Sequence, residues 1–153
     1  MKIIHLKCNY RIIIVIMMMI ILLLATIYWL TLYRNHMIFM NSQNFTTLLK
    51  DIHNNVYEYS GDSISLSGYI FKADDFKSNQ FVIARNMMIS DSEYRIVGFL
   101  CESEIASELE PNTWVSAEGI IMLGNYHGPM PIIHVEKLKE IKIPKKATVL
   151  PPI

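Results

Sequence analysis

Cysteine is nearly absent from this 153-residue chain: Cys8 and Cys101 stand alone, on either side of a long apolar run. No internal disulfide is expected of such a pair, and Cys8 reads as a bystander thiol, with palmitoylation the alternative. The sequence also lacks Gly-x-Ser-x-Gly, His-Glu-x-x-His, Cys-x-x-Cys and the glycine-rich phosphate loop. Each of those motifs places a nucleophile, a zinc pair or a phosphate cradle, so the expectation is a protein that is not an enzyme and has no catalytic residue. Net charge is missing too, because 14 Lys and Arg cancel 14 Asp and Glu. The cancellation is uneven. Lys2, Lys7, Arg11 and Arg34 give the amino-terminal end +4, whereas from Phe45 onward ten basic residues face fourteen acidic ones, 10 − 14 = −4. A mildly acidic domain argues against nucleic acid as a partner, since phosphate backbones select basic faces.

Charge is wholly absent from residues 12–32, IIIVIMMMIILLLATIYWLTL, whose hydroxyls are Thr26, Thr31 and the phenol of Tyr28. At about 1.5 Å rise per residue a helix of that length covers roughly 32 Å, enough for a hydrocarbon core of about 30 Å. Lipid forces every amide to pair within the segment, so the run is helical although it opens with five β-branched residues. The expected organisation is a cytoplasmic start over 1–11, a transmembrane helix over 12–33, a stalk with a short amphipathic helix over 34–59, a β domain over 60–144 and a flexible tail over 145–153. Lys2, Lys7 and Arg11 ahead of the span put the amino terminus in the cytoplasm and the domain outside a cell membrane crossed once. A cleaved secretory signal is the rival reading. The run is longer than an ordinary signal core, and Tyr28, Trp29 and Tyr33 suit an interfacial belt better than a cleavage site.

Beyond the span, residues 35–43 show no period and read as a stalk whose Met and Phe side chains dip into the interface. Over 44–57, Phe45, Leu48, Leu49 and Ile52 follow helical spacing, entered through Asn44 as N-cap and closed by Asn54 and Asn55. His53 at its end reads as a solvated residue or dipole partner rather than a metal ligand.

The rest alternates. Ile64, Leu66 and Ile70 oppose Ser63, Ser65, Ser67 and Tyr69 in a first strand; 80–89 and 94–101 make the second and third; 102–109 is a short helix. In the fourth strand, 113–122, Val115, Ala117, Gly119 and Ile121 share one face. The stretch LGNYHGPMP, with two Gly and two Pro, reads as a loop, and 132–143 as the fifth strand. Five strands with one helix between the third and fourth spell an OB-fold-like barrel, with a small open sandwich or SH3-like barrel as the alternative. Gly68 and Gly119 stand where such a barrel needs close backbone approach.

Several residues stand out as a candidate ligand or partner surface: Tyr69, Phe71, Arg85, Trp114, Tyr126, His127 and His134. Tyr69, Phe71 and Trp114 are exposed aromatics of the kind an OB-fold stacks on an oligosaccharide or single-stranded nucleic acid. Tyr126 and His127 crown the loop between the fourth and fifth strands. Arg85 suits either a buried ion pair with Glu118, the preferred reading, or a partner contact. His127 and His134, with Glu118 or Glu136, form the best metal candidate, but their spacing is weak; the domain is expected to fold without metal or other cofactor.

The pieces Tyr59-Ser60-Gly61-Asp62-Ser63-Ile64, Ala84-Arg85 and Trp114-Val115 with Gly119 make the chain from about 44 to 144 resemble the carboxy-terminal part of YcgQ-type bacterial membrane proteins. That resemblance implies an accessory or interaction subunit of a permease-type transport system, partnered by the bilayer and an integral membrane protein. Two departures stand out. Ser90 and Asp91 occupy the positions of a Cys-Cys pair in such proteins, and this chain has one span where they have additional amino-terminal membrane helices.

Overall fold

The computed structural model describes residues 10–34 and 37–152. The expected cytoplasmic start, with Lys2, Lys7 and Cys8, and the stalk residues Asn35 and His36 lie outside the described residues, as do the side chains of Tyr33 and Arg34. The chain divides into two compact units, Met1–Asn35 and His36–Ile153.

In the first unit, α1 (Tyr10–Arg34) is one unbroken helix of 25 residues. Its stretch Arg11–Leu30 is long and apolar enough to cross a membrane, and none of its side chains is buried. The hydroxyl of Thr26 donates to Leu23 O at 2.8 Å, so this polar group is satisfied within the helix itself.

The second unit is an OB-fold-like barrel. Its elements are β1 (Ile38–Phe39), α2 (Phe45–Asn54), α3 (Val56–Tyr59), β2 (Ser63–Phe71), β3 (Gln80–Ser90), β4 (Glu93–Glu102), a 3-10 turn (Glu104–Glu108), β5 (Trp114–Asn125) and β6 (Pro129–Glu140). β2 pairs antiparallel with both β3 and β5, β3 with β4, and β5 with β6. A parallel pairing of β4 with β6, Leu100 to Glu102 against Ile132 to His134, closes the ring. The alternating faces read from sequence point as expected: Ile64, Leu66 and Ile70 of β2 and Val115, Ala117 and Ile121 of β5 are at most 1% exposed. Gly68 and Gly119 stand where strands approach closely, as expected. A Cβ on Gly68 would run into Ala84 O, and one on Gly119 into His134 O beside a register shift at Glu118/Gly119.

The core is filled from outside the ring as well. Phe45 and Ile52 of α2 are fully buried in it, joined by Ala106 of the 3-10 turn. The helix expected between the third and fourth strands of the barrel is present, as a 3-10 helix over Glu104–Glu108, and Ile105 beside Ala106 stays 43% exposed. α2 therefore supplies the large apolar plug. Asn44 precedes α2 but makes no capping bond. Its amide instead shapes the preceding turn, accepting from Asn41 N–H at 2.7 Å and donating to Phe39 O at 3.0 Å.

Three further expectations are corrected. Met40, placed in a stalk that dips into the membrane interface, is 7% exposed and packs in the barrel core. Its N–H bonds Ser65 O at 2.8 Å, continuing the β1–β2 pairing along an edge of β2 that β3 does not reach. The tail expected to be flexible is docked. Val149, 2% exposed, pairs with Met87, donates to Asn86 O at 3.0 Å and accepts from Met88 N–H at 2.9 Å. Thr46 Oγ1 adds a bond to Leu150 O at 2.7 Å. The physical reason is shared: β2 and β3 pair only over Tyr69 to Phe71, and the amides left open along the seam are covered by the two flanks of the domain.

Nor is the stretch 123–131 a loop. β5 and β6 pair as far as Asn125 with Pro129, leaving Tyr126, His127 and Gly128 as the tip. Tyr126 N–H bonds Gly128 O at 3.0 Å, and alternation from there puts Pro129 and Pro131 at positions that need no N–H toward β5.

Candidate functional site

Tyr69 and Phe71 point outward from β2, two residues apart on one face, and Trp114 stands opposite Tyr69 at the start of β5. The Tyr69 and Trp114 rings are 6.0 Å apart at an angle of 58°. They line a groove of about 520 Å³ with Phe71, Asn86, Ile96, Asn112, Ile143, Ala147 and Thr148. That volume is in the range of small-ligand clefts, about 300–1,000 Å³. One wall is the aromatic face of the barrel and the other is the docked tail.

The polar groups are ordered by the backbone. Tyr69 Oη donates to Asn86 Oδ1 at 2.7 Å, which fixes the orientation of that amide. Burial pushes the Tyr69 phenol above its ordinary pKa, so it stays a neutral donor. Asn112 holds a left-handed backbone (φ 65) between Pro111 and Thr113, where its N–H bonds Ile70 O at 2.8 Å.

Arg85 lies behind this wall, 3% exposed, on the core-facing row of β3. Its guanidinium packs 5.4 Å from the Phe45 ring and 5.5 Å from the Trp114 ring. Nε donates to Ser67 O at 2.7 Å, one terminal nitrogen to Ser67 Oγ at 2.7 Å and the other to Lys146 O at 3.3 Å. The expected ion pair with Glu118 does not form. Glu118 faces solvent and takes Nζ of its β6 partner Lys137 at 2.9 Å, while Arg85 is turned into the seam where β2 and β3 part. Burial draws the Arg85 pKa down, yet a guanidinium keeps its proton in a protein. Arg85 thus ties β2, β3, α2 and the tail together and holds the Trp114 ring from behind.

The aromatic surface continues beyond the groove. Phe71 meets Phe76 edge-on at 6.5 Å, Phe76 meets Tyr126 at 5.7 Å, and Tyr126 meets His127 at 4.4 Å. Tyr126 Oη donates to Asp75, and His127 Nε2 lies 3.8 Å from the same carboxylate. This clasp joins the turn between β2 and β3 to the tip of the β5–β6 hairpin. Tyr126's hydrogen bond, with help from His127, holds the Asp75 carboxyl below its ordinary range.

Of the seven residues singled out in the sequence, Tyr69, Phe71 and Trp114 meet in the groove, Arg85 braces it, and Tyr126 and His127 lie beyond it, reached from Phe71 through Phe76. His134 does not join them. It is exposed on β6, paired with Ile120 and Glu102. His53 stacks on Phe99 at 5.4 Å and meets Leu49 O at 2.8 Å. Among the described residues no three His, Cys, Asp or Glu side chains gather as a metal site would require. Cys101 is fully buried, and burial raises its thiol to about 12, leaving it protonated and inert. Asn86, Asn112, Asp75 and the tail were not foreseen. Asn86 alone carried a readable signal, being two residues after Ala84 on the face that Tyr69 shares.

No curated protein matches the chain significantly. Among solved structures, OBody NL8 bound to hen egg-white lysozyme is similar at 14% identity, covering 54% of this chain and 98% of that one, with a TM-score of 0.36. The N-terminal domain of PriB from Thermoanaerobacter tencongensis gives 15% identity, 52% and 96% coverage and 0.37. The mitochondrial single-stranded DNA binding protein Rim1 from S. cerevisiae gives 12%, 55% and 96%, and 0.35. Residues 29–151, which include the whole barrel, the groove and the docked tail, match the DUF1980 C-terminal domain, and the chain belongs to that family.

Proposed function

We propose that this chain is a membrane-anchored, non-enzymatic accessory subunit of a permease-type transport system, acting through a barrel held outside the cytoplasmic membrane. The observation that supports it most is α1. Twenty residues from Arg11 to Leu30 present only exposed, largely apolar side chains, a surface that lipid would cover and water would not tolerate. The resemblance to YcgQ-type proteins supplies the transport context, and the basic flank Lys2, Lys7 and Arg11 supplies the orientation. Affinity capture of the tagged full chain from crosslinked membranes tests the role. The expected result is recovery of an integral membrane protein in stoichiometric yield; recovery of none, with the bait intact and abundant, rules the role out.

A second reading, compatible with the first, treats the barrel as a binding module for an oligosaccharide or a single-stranded nucleic acid. It is favoured by the groove in which Tyr69, Phe71 and Trp114 come together.

A further inference from the structure

From the side chains around the groove beside Trp114, we infer that it binds a neutral oligosaccharide. The inference rests on the reading of the barrel as a binding module and names its ligand class. The lining carries three aromatic rings and three uncharged polar side chains, Asn86, Asn112 and Thr148, with no Asp, Glu, Lys, Arg or His. A phosphodiester chain needs cations to replace its counterions, and this groove offers none at its surface. The Arg85 guanidinium, behind Trp114, is buried and bonded to Ser67 and Lys146.

What the groove does offer matches a sugar ring. The faces of Tyr69, Phe71 and Trp114 carry the negative side of the aromatic quadrupole, toward which the C–H groups of a pyranose are drawn. Around that shelf stand donors and acceptors for hydroxyls. Tyr69 occupies Asn86 Oδ1, and among the described residues no protein group bonds Asn86 Nδ2 or either end of the Asn112 amide. Both amides are held by backbone that other contacts already fix: Asn86 O accepts from Val149 N–H, and Asn112 N–H is held by Ile70 O. A ligand would meet a preformed site and lose little ordering entropy.

The test uses the full chain in zwitterionic micelles, whose head groups carry no sugar. Chitotetraose, cellotetraose, maltotetraose and an oligothymidylate are titrated separately, at low and high salt. One tetrasaccharide is expected to bind saturably and independently of salt, with Trp114→Ala weakening it roughly tenfold. Asn112→Gly is the second variant, because glycine accepts the left-handed backbone at this position and the fold is not at risk. It should weaken binding about two- to tenfold through the lost amide. Binding of the oligothymidylate alone, falling steeply with salt, would overturn the sugar assignment and leave the binding module standing. Binding of none of the four probes would overturn both. Saturable sugar binding untouched by either variant would overturn the groove as its site.

Discussion

Arg85 shows how one side chain can hold a barrel shut where its ladder fails. Ser67 O would be left facing the split between β2 and β3, and Arg85 Nε satisfies it while a terminal nitrogen takes the hydroxyl of the same residue. Arg85→Met keeps the apolar stem but leaves that carbonyl without a partner, and the expected cost is about 1–3 kcal/mol. Arg85→Lys should lose nearly as much, because an ammonium cannot reproduce the planar fork that reaches Ser67 and Lys146 together. Glu118→Gln, by contrast, should move stability by less than about 0.5 kcal/mol, since its partner Lys137 is a largely exposed side chain. Guanidinium unfolding of the full chain in micelles, followed by near-UV dichroism, distinguishes these values. Equal or greater stability in Arg85→Met would mean that desolvation of the charge outweighs its bonds.

At the scale of elements, the domain depends on two segments that lack their own periodicity. The segment of β1 and Met40, and the tail, each contribute a few backbone pairs, but each delivers one buried side chain, Met40 and Val149, into the common core. Val149→Ala should cost roughly 1–3 kcal/mol through the cavity left beside Met87. Hydrogen exchange gives the more direct reading. The amides of Met88 and Val149, bonded at 2.9 and 3.0 Å, should be protected to nearly the same degree as those of the neighbouring barrel strands. Exchange of both at unprotected rates would return the tail to the frayed state its composition suggested. Because the tail also forms one wall of the groove, loosening it should open that wall.

For the whole molecule, the charge split and α1 lead to a prediction about sidedness. With Lys2, Lys7 and Arg11 on the cytoplasmic side, protease added to intact spheroplasts should digest the barrel. Loss of the barrel only after permeabilisation would invert the orientation, and recovery of the barrel free in the periplasm would mean that the apolar run is a cleaved signal. Local pattern carried much of this architecture. A charge-free run of this length favours one helix, and alternation of period two in β2 and β5 can bury only one face, so the apolar helix, the strands and the core rows could be read from residues alone. Tyr69, Phe71 and Trp114 were likewise legible as outward aromatics. What the sequence could not specify was the closure of the barrel. Whether β2 and β3 stay paired, whether Arg85 turns toward Glu118 or toward Ser67, and whether 145–152 frays or docks depend on which backbone amides remain open once the strands have twisted into a ring. That is a property of the assembled fold, and only the tertiary structure decided it: the open amides of β2 and β3 recruited β1 and the tail, and in doing so built the second wall of the groove.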